Sequence, residues 1–358
     1  MIKTFIYRII LHSGLLRLWI YKNRKTINIL MLHGVMDKTI DDSWYPFWNR
    51  ISPDFLASRL EYLSRYYQFI GIDEATEMLS GDRPIRPNCM VLTFDDGYRN
   101  NLKYAMPVLR KFNAPATIYL ATGYVGGQRP FQVDRLDYAI QSTDLVNHRF
   151  RINDTIFKYD TRSRATLTGS YRRHRALIQS SSENEQDYRN KLVSLALELE
   201  DESGQSIFDN FNNDDWVNIL TWDDIRSYKY NDVEFEGHTV NHYRLALLDD
   251  NHVLDELRTS KNDIEEKLGR KCKHLCYPVG SYNQSVINIA ESCGYKSAVT
   301  TNEGLNAVGC DLLRLYRIPF PSSGDIVSNV IFMSGLGFCI SSFIRRLRGA
   351  SGTWQLHK

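Results

Sequence analysis

The chain has 358 residues, long for one ordinary domain but in range for a single large α/β barrel with an insertion. Its 43% hydrophobic and 24% charged residues exclude wholesale disorder. Lys and Arg number 44 against 42 Asp and Glu, and a net charge of +2 is too small a field to argue for nucleic acid.

Residues 1–26 read as a basic amphipathic helix. Arg8 and His12 interrupt the apolar stretch and no A-x-A site follows, so a cleavable leader is not expected. Arg8 and Arg17 fall inside the ~20 residues a spanning helix needs. These features make a cytoplasmic protein the expectation.

Apolar β-type runs follow at 27–33, 90–94, 116–121, 233–237, 274–277, 297–300 and 315–319. Helical patterns lie between them at 53–66, 98–112, 251–268 and 285–293; Val253, Leu254, Leu257, Ile264 and Leu268 keep the helical period. Strand–helix alternation predicts a parallel α/β sheet or barrel. Residues 122–215 break the rhythm. They contain one amphipathic stripe, Tyr188, Leu192, Leu195 and Leu199, and a segment rich in Ser, Thr and Arg at 160–182 that reads as loop or lid. The expected division is an N-terminal helix (1–26), a barrel (27–121 and 216–320), a helical insertion over one barrel end (122–215) and an apolar, basic tail (321–358). In the tail, residues 326–344 carry no charge and Arg345, Arg346 and Arg348 follow, but Asn329, serines and glycines weaken a spanning helix. Both chain ends read either as interfacial helices on anionic lipid or as segments packed on the barrel.

Six cysteines without a C-x-x-C pair suit reduced thiols. Cys272, His274 and Cys276 would share one strand face, too cramped for a tetrahedral metal site, and are read as structural.

Three segments carry candidate chemistry. Thr93, Phe94, Asp95, Asp96 and Gly97 end an apolar strand in two acids and a glycine, and barrel function sits at strand C-termini. Successive strand side chains diverge, so one acid can hold a metal while the other faces substrate; a plain turn or helix cap is the alternative. His238 and His242 follow the strand at 233–237 and can converge on one metal if the chain between them makes a helical turn, or be ordinary histidines. Cys276, Tyr277, Pro278, Val279 and Gly280 form a turn whose amides can serve as an oxyanion hole, or simply a turn.

In this order, the segments resemble the polysaccharide deacetylase family (carbohydrate esterase family 4, the NodB homology domain). Its T-F-D-D-G motif matches residues 93–97 and its H-[S/T]-x-x-H motif residues 238–242. Met31 to Val35 resemble the family's Y-H-G-V opening, and Leu220 to Asp223 the segment before the second motif. The resemblance covers about 27–320 and implies a distorted (β/α) barrel. It implies Asp96, His238 and His242 as ligands of a divalent metal, usually zinc, Asp95 as general base, and the Val279 amide as oxyanion donor. The third motif, R-x-P-[Y/F], departs: Cys276 replaces the arginine and Val279 the aromatic. The family's late histidine acid has no evident counterpart. Arg317 is expected either to replace the missing arginine or to be structural, and His33 either to assist the acid chemistry or to be an ordinary strand-end histidine.

The expected function is metal-dependent removal of an acetyl group from an N-acetylated sugar of a bacterial surface polysaccharide or its precursor. O-deacetylation, hydrolysis of another amide, and a non-catalytic glycan-binding or membrane-organising protein are the alternatives. A paired-carboxylate glycosidase fits less well, because adjacent acids do not supply two carboxyls ~5–9.5 Å apart across a bond. An N-acetylated glycan or glycan precursor and a peripheral membrane contact are the expected partners.

Overall fold

The structure is a computed structural model, which describes residues 7, 10, 13–36, 44, 46–48, 50–127, 129–145, 148–152, 155–209, 215–340 and 355–357. The chain divides into two units. One comprises Met1–Asp37, Arg50–Val125 and Leu220–Lys358, the other Lys38–Asn49 and Gly126–Ile219.

The first unit opens with α1 (Leu15–Lys22), β1 (Thr26–Leu32), α2 (Pro53–Leu63), β2 (Gln68–Ile70), α3 (Ile72–Ser80), β3 (Cys89–Phe94), α4 (Met106–Arg110) and β4 (Ala116–Leu120). The second unit follows with α5 (Gln132–Ser142), the hairpin strands β5 (Phe150–Ile152) and β6 (Thr155–Phe157), α6 (Arg164–Ser180) and α7 (Glu185–Ser203). The first resumes with α8 (Trp222–Ser227), β7 (Val233–Gly237), α9 (Asp250–Leu268), β8 (His274–Cys276), α10 (Gln284–Ser292), β9 (Ser297–Val299), β10 (Gly304–Ala307), β11 (Ile318–Pro319), α11 (Ile326–Met333) and β12 (Gln355–His357).

The sheet order is β9-β8-β7-β4-β3-β1-β10-β12, with β2 added to β3 and β11 to β1. Among the described residues, every ladder of this sheet is parallel except β1 with β10. Continuous apolar runs are what parallel strands covered on both faces require, and every residue of β3 and β4 is buried. The segment at 315–319 spans the remaining gap. Leu315 bridges Val299 of β9, and three residues later Ile318 pairs with Leu30 of β1. The sheet thus curls into a distorted (β/α) barrel, as the sequence predicts.

Helix ends follow their capping residues. Ser52 accepts from the Phe55 N–H ahead of Pro53 in α2. Asp249 caps α9, which stops at the left-handed Gly269. The helix expected at 98–112 forms over 99–110, with one correction. Residues 101–105 are wound more widely, so that the Met106 N–H reaches the Asn101 carbonyl, and regular α-helical winding resumes in α4 (Met106–Arg110). Pro107 lacks an N–H, and the ladder is disturbed around it.

The loop reading of 160–182 is also corrected, because α6 runs from Arg164 to Ser180. Its buried stripe is sparse (Ser170, Tyr171, His174 and Ile178), so composition hides it, while the Ser163–Thr166 capping box marks its start. Residues 38–49 join the second unit. There the Phe47 N–H meets Asp137 at 2.6 Å and the Trp48 indole N–H meets Asp134 at 2.6 Å.

In the tail, α11 stops where Gly335 takes φ 83°, against the Leu305 side chain. Trp19 donates to the Ser334 carbonyl and Asn28 to that of Met333, each at 2.9 Å, and Val330, Ile331 and Met333 are buried. Arg345, Arg346 and Arg348 lie outside the described residues. Among the described residues no helix is long and apolar enough to cross a membrane. All six cysteines are free thiols.

Candidate metal centre

The C-terminal ends of β3, β7 and β8 and the start of β11 place the singled-out residues together. Asp95 directly follows β3, its N–H donating to the Leu32 carbonyl at 3.0 Å, and it is buried. Asp96 then takes φ 76° and Gly97 φ 78°, which turns the chain and sends the second carboxylate elsewhere.

The Asp96 Oδ1 lies 3.4 Å from His238 Nε2 and 3.3 Å from His242 Nε2. A tetrahedral ion with ligand bonds of 2.0–2.2 Å has ligand atoms about 3.4 Å apart, so this donor set fits a divalent ion such as zinc. His238 is buried, and its Nδ1 faces the Cys276 carbonyl at 2.7 Å, which leaves Nε2 for the ligand position. The histidines do not converge through a helical turn as anticipated. Thr239 (φ 66°) and His242 (φ 57°) are left-handed, and the His242 N–H donates to Thr239 Oγ1 at 2.9 Å. Among the described residues six non-glycines have positive φ, and Asp96, Thr239, His242 and Val279 are four of them. Each such residue costs about 1–3 kcal/mol, so backbone strain is concentrated here.

Arg317 is only 1% exposed and grips Asp95 with two parallel bonds, NH1 to Oδ1 at 2.6 Å and NH2 to Oδ2 at 2.8 Å. It also donates to Thr93 Oγ1, the Thr300 carbonyl and Cys276 Sγ. Arg317 thus lies against Cys276, the residue that stands at the arginine position of the third motif. A second cluster, Asp95, His238 and Cys276, brings together three buried groups of metal-ligand type. Both Asp95 oxygens there are bound to the guanidinium, so Asp96, His238 and His242 are the better donor set.

Burial alone would raise the Asp95 carboxyl, but Arg317, with the charges of His33 and His238, holds it below its ordinary value. Burial likewise opposes ionised Asp96, and the hydrogen bonds from His238 and His242 outweigh it, leaving this carboxyl well below the usual range. Val279 is 66% exposed at φ 57°, and its N–H has no acceptor among the described residues. His274 is engaged by Ser297 Oγ at 2.8 Å and Asp73 at 3.4 Å, so it belongs to a buried structural network.

The profile of the family described as "Polysaccharide deacetylase" matches residues 82–186 and 203–298, more than half of the chain. The chain belongs to the polysaccharide deacetylase family. The match contains both the Asp95–Asp96 turn and the histidine pair. A curated relative, YxkH of Bacillus subtilis (strain 168), named for the polysaccharide deacetylases, is 21% identical over 252 residues. The alignment takes in 70% of this chain, which spans 58% of that relative's length. Three solved structures share the fold. The Streptococcus pyogenes deacetylase PplD, in complex with acetate, is 21% identical with a TM-score of 0.55, covering 86% of this chain and 98% of its own. A de-N-acetylase from Aggregatibacter actinomycetemcomitans is 16% identical with a TM-score of 0.53, covering 84% and 97%. IcaB from Ammonifex degensii is 15% identical with a TM-score of 0.53, covering 87% and 97%.

Sequence reasoning missed two supporting groups. The Cys276 carbonyl carries no sequence signal. Thr93 does, as a hydroxyl inside a wholly buried strand, and it bonds the Leu30 carbonyl while accepting from Arg317.

Proposed function

We propose that this protein is a metal-dependent hydrolase that removes the acetyl group from an N-acetylated sugar of a bacterial surface polysaccharide or its precursor. The observation that carries the reading is one carboxylate oxygen within 3.3–3.4 Å of two imidazole nitrogens, beside a second, arginine-held carboxylate. Asp96, His238 and His242 hold the ion. A zinc ion bound there supplies Lewis acidity to the amide carbonyl and to water.

Asp95 is the general base. The Arg317 fork keeps it ionised at neutral pH and fixes its direction, so it takes a proton from the attacking water. The Val279 N–H stabilises the oxyanion developing on the former carbonyl oxygen. As the C–N bond breaks, Asp95 returns the proton to the leaving nitrogen; acetic acid and the free amine result, and the acid's remaining proton passes to the amine to give acetate and ammonium. A low base pKa trades proton affinity for a fully ionised base at pH 7.

Peripheral attachment at the cytoplasmic membrane face belongs to the same reading. Leu15, Leu18 and Tyr21 of α1 are exposed, and Arg17, Lys22, Arg24 and Lys25 lie among and after them. Flotation with anionic vesicles at low salt tests this.

The activity test is acetate release from N-acetylglucosamine oligomers by zinc-loaded protein. Release that disappears in Asp96→Ala supports the reading. No release from any acetylated glycan, with zinc bound, overturns it.

A further inference from the structure

The loop that carries His242 lies outside any helix or strand, yet its backbone is held from two sides. From one side the Thr122 N–H donates to the Thr239 carbonyl at 3.0 Å and the Gly123 N–H to that of Val240 at 2.9 Å. From the other side one residue of α9 takes three donors. Glu256 Oε2 accepts the Val240 N–H at 2.9 Å and the Asn241 N–H at 2.8 Å, and Oε1 accepts the Asn241 side-chain amide at 2.7 Å.

Glu256 is buried and stands in the core-facing stripe of α9 with Val253, Leu257 and Ile264, where helical periodicity calls for an apolar residue. A buried carboxylate is costly unless several donors satisfy it. Here all three donors come from two consecutive residues of the turn between the left-handed Thr239 and His242. The chain in that turn is strained, so it needs outside partners to persist.

We infer that Glu256 is a positioning residue for the metal centre: it holds the 239–242 turn and thereby sets His242 Nε2 at its ligand distance from Asp96. Glu256 touches neither the ion nor the substrate. This inference rests on the metal-binding reading proposed above.

The test compares zinc affinity, by competition with a chelator of known affinity, in wild type, Glu256→Ala, Glu256→Gln and a control, Glu234→Gln. Glu234 is a second amide-holding carboxylate. It accepts the Ile72 N–H at 2.8 Å and the Thr117 hydroxyl at 3.1 Å near the start of β7, away from the metal ligands. Removing an outer partner of a metal ligand typically costs about 10–100-fold in metal affinity, and that is expected of Glu256→Ala. Glu256→Gln keeps one oxygen for the two backbone donors but sets an NH2 against the Asn241 amide, so a smaller loss is expected. It decides the matter if Glu256→Ala does not fold. Glu234→Gln should lower the unfolding midpoint and leave zinc affinity unchanged. Hydrogen exchange of the Val240 and Asn241 amides should quicken in the Glu256 variants only. Wild type that binds no zinc overturns the metal reading itself. Wild type that binds zinc, with folded Glu256 variants binding equally tightly, overturns the positioning role alone.

Discussion

Arg317 closes on both carboxylate oxygens of Asp95, at 2.6 and 2.8 Å, from 222 positions further along the chain. Breaking a buried, fully bonded pair by removing one member leaves an uncompensated charge, at a cost of about 3–5 kcal/mol. Arg317→Met should therefore lower stability by that order in urea unfolding at pH 7.5. Asp95→Asn keeps a near-isosteric acceptor for the guanidinium and should lose less. If both variants unfold like wild type, the pair does not stabilise the barrel.

Asp95→Asn should also separate proton transfer from metal binding. Zinc affinity is expected to stay near wild type while acetate release falls by about 10²–10⁴-fold, the scale for loss of a general base. Near-normal turnover would remove Asp95 from the base role.

Metal loading should be visible as stability. At a free zinc concentration of 100 times the dissociation constant, the folded state gains about 2.7 kcal/mol. The melting temperature is expected to rise with zinc, fall with chelator, and respond to neither in Asp96→Ala.

The turn bearing Val279 depends on its neighbour. Gly280 has φ 67°, and a Cβ there would sit 2.0 Å from Thr301 Oγ1. Gly280→Ala should cost about 2 kcal/mol from left-handed backbone and overlap combined. A melting temperature equal to wild type would contradict that geometry.

Stability should depend on pH through the second unit. His174 is buried among Phe150, Phe157 and Tyr159, and burial lowers its pKa to about 4. An unfolded histidine titrates near 6.5. As pH falls below about 6.5 the unfolded chain takes a proton that the folded chain refuses, so stability declines until about pH 4, by about 3 kcal/mol in all. His174→Phe should flatten this slope in urea unfolding between pH 7 and 4.5. An unchanged slope would place the titrating group elsewhere.

The parts legible in sequence are those set locally. The strand runs 90–94, 116–121 and 233–237 fall within a residue of β3, β4 and β7, because strands buried on both faces must be continuously apolar. Asp96, His238 and His242 are legible because their spacing is fixed by the turns that hold them. The destination of Arg317 is not, since two readings survive until the 315–319 segment is seen bridging β9 and β1. The antiparallel β10 and the helix α6 escape for a different reason: their apolar positions are too few to stand out from polar neighbours.

The segment that completes the ring of strands also delivers the arginine to Asp95. A chain emerging from the ribosome can pair β1, β3 and β4 before residue 317 exists, and through that interval the Asp95 carboxylate has no guanidinium to fix its direction or to offset its burial. The proposed base is armed by the last stave of the barrel, so catalytic competence and topological completion arrive together, and a partly made chain carries no working hydrolase.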